Sequence, residues 1–121
     1  MKAFTDISQG KKLAEILPME SADMYYPWDT DSKSFLNIPI VKDDSYYVQG
    51  SIDCWSLAAL FAALQNHCGI LETRLRTNKK YNVFAAIGGF VYNSFEEHPD
   101  GIDIIDGLYE LTLMLNKEKL L

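Results

Sequence analysis

The sequence predicts a small α+β fold, in which an antiparallel sheet, a three-stranded meander plus weaker N-terminal strands, packs against a central buried helix and flanking N- and C-terminal helices. Three observations lead there. Leu71, Thr73 and Leu75 alternate with Glu72, Arg74 and Arg76, the period of a strand with one dry face. The run CWSLAALFAAL at 54 to 64 is almost wholly apolar, and a helix apolar on most sides is a buried one. Ile104, Ile105, Leu108, Leu111 and Leu115 recur at the spacing of a helical stripe.

Taken in order, Thr5 or Asp6 can cap a first helix whose Leu13, Ile16 and Leu17 share a side until Pro18 stops the run. Short strands follow at Ala22 to Tyr26, Phe35 to Ile40 and Tyr46 to Val48, between turn-forming clusters of Tyr, Asp, Ser and Pro. Ser51 or Asp53 can cap the second helix, and Gly69 can end it in a left-handed conformation. Next comes the alternating strand, then Tyr81 to Ile87, then Phe90 to Phe95 beyond a tight Gly88-Gly89 hairpin. Tyr81, Val83, Ala85 and Ile87 point one way and Phe84 and Ala86 the other, which predicts cover on both faces of that central strand. Asp103 caps the last helix, with Asp106 three residues on in the arrangement of a capping box.

Length and composition bound the function. A chain of 121 residues, 48% hydrophobic and 23% charged, is expected to fold as a single domain over 1–121 without staples. The net charge of -6 repels phosphate backbones and anionic lipid, so neither nucleic acid nor a membrane is an expected partner. Arg74, Arg76, Lys79 and Lys80 read as a solvated hairpin. The opening MKAFTDISQGKKLAEIL has no continuous apolar run before Pro18, so a cytoplasmic protein is expected, with Cys54 and Cys68 as reduced thiols. No metal or cofactor is expected. The two cysteines match no zinc spacing, and Asp29-Thr-Asp31-Ser-Lys33 fails as a calcium loop because Ser34 replaces the glycine and Ile40 the closing glutamate. Asp43-Asp44 and Glu96-Glu97 read as solvated turns, and Gly88-Gly89 lacks the lysine of a phosphate loop.

Three pieces, KKLAEILPMESADMYY at 11 to 26, CWSLAALFAAL at 54 to 64 and DGLYELTLML at 106 to 115, resemble a group of small uncharacterised proteins of gut bacteria and the mobile elements they carry. The order of elements is similar to that of phage-encoded ABA sandwich domains, with helices on both sides of a small sheet. These likenesses imply a bacterial or phage accessory protein and assign no chemistry.

The segment QGSIDCWSLAAL also resembles the nucleophile segment of papain-like cysteine proteases. That likeness implies Cys54 as nucleophile at a helix start and Gln49 as oxyanion donor. The base would have to be His98, 44 residues downstream, since His67 falls near the far end of the same helix, roughly 20 Å away at about 1.5 Å per residue. The usual run before the nucleophile is replaced by Ser51-Ile52-Asp53, and Asp53 disfavours a thiolate, so burial of Cys54 is the stronger expectation. The leading functional expectation is therefore a non-enzymatic binding or accessory protein. Its aromatic surface would comprise Tyr25, Tyr26, Trp28, Tyr46 and Tyr47 and would meet a protein partner or a second copy. The alternatives are the cysteine hydrolase and a small-molecule binder, for example of a nucleotide.

Overall fold

The computed structural model describes residues 2–43 and 50–121. The strand expected at Tyr46 to Val48 lies outside the described residues, as do Gln49, Tyr46 and Tyr47. Helix α1 (Ile7–Leu13) starts from Asp6, which accepts from the Gln9 backbone amide while the Gln9 side chain bonds back to the Asp6 amide. Strands β1 (Met24–Tyr26), β2 (Trp28–Asp29), β3 (Ser34–Phe35), β4 (Ile40–Val41) and β5 (Ile52–Cys54) are two or three residues each. After them come α2 (Leu57–Gln65), the meander β6 (Ile70–Leu75), β7 (Tyr81–Ile87) and β8 (Phe90–Asn93), and α3 (Ile104–Lys117).

These strands make three antiparallel groups: β4-β1-β5, the β2-β3 ribbon, and β6-β7-β8. The expected strand from Phe35 to Ile40 is broken, with Phe35 ending β3 and Ile40 opening β4. Pro39 between them has no amide proton to donate to a ladder. The last meander strand stops at Asn93, where the Asn93 side chain accepts from the Phe95 amide and turns the chain.

The second helix begins later than its apolar run suggests. Ile52, Asp53 and Cys54 pair with Tyr26, Tyr25 and Met24 as a strand, and the cap is Ser56 rather than Ser51 or Asp53. Asp23 locks that corner by accepting from both the amide and the hydroxyl of Ser56, at 2.9 and 2.5 Å. At the other end Gly69 is not a left-handed stop. Its amide donates to the Ala86 carbonyl at 2.9 Å, so it already belongs to the edge of the meander.

Burial also differs from the expectation. Helix α2 buries only Leu60 and Leu64, with Ala58 and Ala62 facing out, whereas α3 buries Ile104, Ile105, Gly107, Leu108, Leu111, Thr112 and Leu115. The C-terminal helix is thus the central one, because its stripe lies along β7 while α2 packs beside it and β6. Gly107 permits that approach, since a Cβ there would press on Val83 and Ile102. Asp103 caps α3 by accepting from the Ile105 amide, but Asp106 does not close a capping box. Its carboxylate instead takes the Lys2 ammonium and the Gln9 amide, both at 2.8 Å.

The core joins Leu13, Leu17 and Trp55 to Leu60, Leu64, Val83, Ala85 and the α3 stripe. Each fully buried large side chain contributes roughly 1.5–3 kcal/mol.

Candidate functional site

Cys54 ends β5, three residues before the first residue of the helix that would have to activate it, and it is 0% exposed. The thiol donates to the Thr5 carbonyl at 3.4 Å and receives the Thr5 hydroxyl at 3.7 Å. Burial first, and the Asp23 carboxylate after it, hold the thiol above its ordinary range against hydrogen bonds from Thr5 and Tyr26 that act the other way. His98 lies in the loop between β8 and α3, bonded to Glu110 at 2.8 Å, and His67 is exposed beyond α2. The structure therefore does not bring Cys54 and His98 together, and Gln49 is outside the described residues.

The expected aromatic surface also divides. Tyr26 is buried, and its hydroxyl donates to the Thr5 carbonyl at 2.6 Å, making it part of the scaffold around Cys54. Burial raises the Tyr26 phenol, with smaller contributions from Cys54 and Asp6. Trp28 is 43% exposed and packs edge-on against Phe35, 5.0 Å between ring centres. Tyr25 is half-buried on the opposite side of β1 from Tyr26. Among the described residues these rings form no common exposed cluster.

The meander supplies a stronger candidate. Its register places Ile70, Glu72 and Arg74 of β6 beside Ala86, Phe84 and Asn82 of β7, with Val91 and Asn93 of β8 completing the same face. Val83 and Ala85 point the other way, into the core under α3. Cover on both faces was expected, but the helices that pack on this sheet, α2 and α3, lie on the Val83 side, and among the described residues the Phe84 face stays no more than half-buried. Ile70 is 48% exposed, Val91 60% and Phe95 48%. Glu72, Arg74, Asn82, Phe84, Asn93 and Phe95 line a shallow groove on this face.

Two polar features sit within that apolar surface. Asn82 Oδ1 is buried yet accepts no hydrogen bond within the described residues, a state that native proteins generally resolve with a donor. Glu72 and Arg74, two residues apart on one strand, approach to 3.9 Å and leave both side chains largely exposed. Alternation in the sequence marks which residues share this face. It carries no sign of whether a helix returns to cover them.

A third grouping lies on the far side of β8. Glu97, His98 and Glu110 place one ligand atom each within 4.8 Å of one another. Glu110 is twelve residues from His98 and sits on α3, so the sequence shows only an acidic loop with a histidine in it.

No family model, curated protein or solved structure matches this chain. The likenesses drawn from residues 11 to 26, 54 to 64 and 106 to 115 stand on those residues alone. No helix among the described residues is long and apolar enough to cross a membrane.

Proposed function

We propose that this protein is a non-enzymatic interaction module whose uncovered sheet face docks onto a second copy of the chain. The observation that carries this reading is the bare Phe84 face, with exposed apolar side chains around a buried acceptor that lacks a donor. Charge selects the occupant. A twofold axis running across the strands between the Glu72 and Arg74 rows sets Glu72 of each copy over Arg74 of the other, so the face is complementary to itself. The guanidinium, already exposed, then supplies donors near Asn82, its direct cross-strand neighbour.

Size sets the strength. Three strands about 4.8 Å apart and about six residues long at roughly 3.3 Å each give a flat footprint near 300 Å². That is well below the about 800 Å² per partner of a stable complex, so the dimer is weak and concentration-dependent.

Sedimentation of the full chain up to millimolar concentration tests it. A monomer–dimer equilibrium is expected, lost in Val91→Lys and weakened in Glu72→Arg and in Arg74→Glu. The double exchange E72R/R74E restores complementarity and should recover the dimer. A chain that stays monomeric throughout, a dimer unaffected by V91K, or a double exchange no better than the singles would each overturn the proposal. The first of these outcomes would leave the face to a different protein.

A further inference from the structure

We propose that the open edge of β6 is a strand-pairing site for the same strand of a second copy, joined antiparallel about Thr73 into one continuous sheet. Among the described residues β6 is an end strand, with β7 as its ladder partner. An end strand presents a row of amides and carbonyls that can template another strand.

The backbone fixes which residues supply that row. The Arg76 amide donates to the Lys80 carbonyl at 2.7 Å, one step beyond the Leu75–Tyr81 pair. On the other side of β7 the Ser94 amide donates to the Val83 carbonyl at 2.9 Å, which leaves Asn82 and Phe84 to face β6. Bonding direction alternates along antiparallel strands, so Glu72 and Arg74 bond inward to β7. Leu71, Thr73 and Leu75 therefore turn their amides and carbonyls to the open edge.

Charge then picks the partner and the register. The strand reads LETRL over residues 71–75, and reversing it exchanges Glu72 with Arg74 and Leu71 with Leu75. Two copies placed antiparallel, with Thr73 beside Thr73, set each Glu72 next to the other copy's Arg74 and each Leu71 next to the other copy's Leu75. Opposite charges side by side on neighbouring strands attract. The three edge-facing residues fall opposite one another in this register, so ladder bonds form at all of them. Slipping by two residues sets Glu72 against Glu72 or Arg74 against Arg74, and slipping by one turns the bonding groups away.

The neighbouring side chains leave room. Leu75 is 64% exposed, and an open apolar groove lined by Ala58, Phe61, Ala62 and Thr73 runs between α2 and this edge. Ala58 and Ala62, exposed on α2, present small side chains to an incoming strand.

This contact is separate from the one proposed for the Phe84 face. There Glu72 and Arg74 meet their partners across two stacked sheets; here they meet them within one sheet. Five residues at about 3.3 Å each over a strand spacing of about 4.8 Å give roughly 80 Å², a smaller footprint than the face. Sedimentation therefore follows the face, and the edge calls for covalent trapping. Cα atoms of a hydrogen-bonded pair lie about 5.5 Å apart, inside the about 4.4–6.8 Å span of a disulfide.

Copper-catalysed oxidation of Thr73→Cys, in a Cys68→Ser background of the full chain, tests the register, with Cys54 buried and silent. A disulfide-linked dimer is expected, formed at least about tenfold faster than from Leu75→Cys, whose two copies would lie four residues, about 13 Å, apart along the strands. Random collision predicts the reverse order, since Leu75 is the more exposed position. Leu75→Pro removes an edge-facing amide and spares the β7 ladder, so it should sharply slow trapping of T73C, while Val91→Lys should leave it unchanged. Circular dichroism of each variant checks the fold. No T73C dimer, a Leu75→Cys dimer formed as fast, or trapping insensitive to Leu75→Pro would overturn the proposal. Loss of trapping in V91K would overturn it too, by assigning the contact to the Phe84 face.

Discussion

Alkylation of the two thiols separates a core cysteine from a reactive one, and the structure fixes the size of the difference. Exposing Cys54 means breaking the β1–β5 ladder, the Thr5 hydrogen bonds and the packing of α1 on β5, so it requires opening of a large part of the N-terminal half. A stability of about 0.05–0.15 kcal/mol per residue gives a 121-residue chain about 6–18 kcal/mol. At 1.36 kcal/mol per factor of ten, even an opening that costs about 4 kcal/mol slows labelling about a thousandfold. Cys68 is the internal reference, since it lies half-buried between α2 and β6 with its thiol raised by burial alone. Iodoacetamide labelling followed by peptide mass spectrometry should show Cys68 modified first and Cys54 modified at a rate set by unfolding. Both rates should keep rising past neutral pH, because both thiols are raised above the ordinary value. Alkylation of Cys54 as fast as Cys68, or a Cys54 rate that levels off below neutrality, would refute the burial argument and return the hydrolase to consideration.

Asp103→Ala removes both the α3 cap and the acceptor for the Lys2 amide, so thermal or urea unfolding should show a loss of about 1–2 kcal/mol. Stability should also fall on the alkaline side. The native phenol of Tyr92 is raised to about 12 from an ordinary value of 10.0, so its contribution is complete below pH 10 and is lost as pH rises through 12, with Cys54 and Cys68 adding the same sign from their lower ordinary value. Urea midpoints measured from pH 7 upward should decline, and a flat profile would contradict the burial of these groups.

What was legible in the sequence was local. Asp6 as one of two candidate caps, Asp103 before Ile104, and the alternation across Tyr81–Ile87 each declare themselves within a few residues, and the structure contains all three. The start of α2 was not legible, because Ile52–Cys54 is as apolar as a helical turn and becomes a strand only by pairing with Met24–Tyr26, some thirty residues earlier. The weight of the core shifted for a related reason. An apolar run says that a helix can be buried, but which helix lies along β7 is decided by packing, and α3 has the narrower stripe together with Gly107 at the crossing. The candidate sites were hidden in the same way. Residues of one face could be sorted by alternation, while the bareness of that face and the meeting of His98 with Glu110 exist only in three dimensions.

The first residues of the chain act as a latch on its last helix. The Lys2 amide donates to Asp103 and the Lys2 ammonium to Asp106, spans of 101 and 104 positions, while the Thr5 amide donates to the Trp55 carbonyl. A polypeptide emerging from the ribosome in order cannot fasten this latch until α3, some hundred residues further on, has been synthesised. Such long-range closure slows folding and leaves the half-made chain with its greasy α2 unshielded, a period in which chaperones or premature self-contact compete for it.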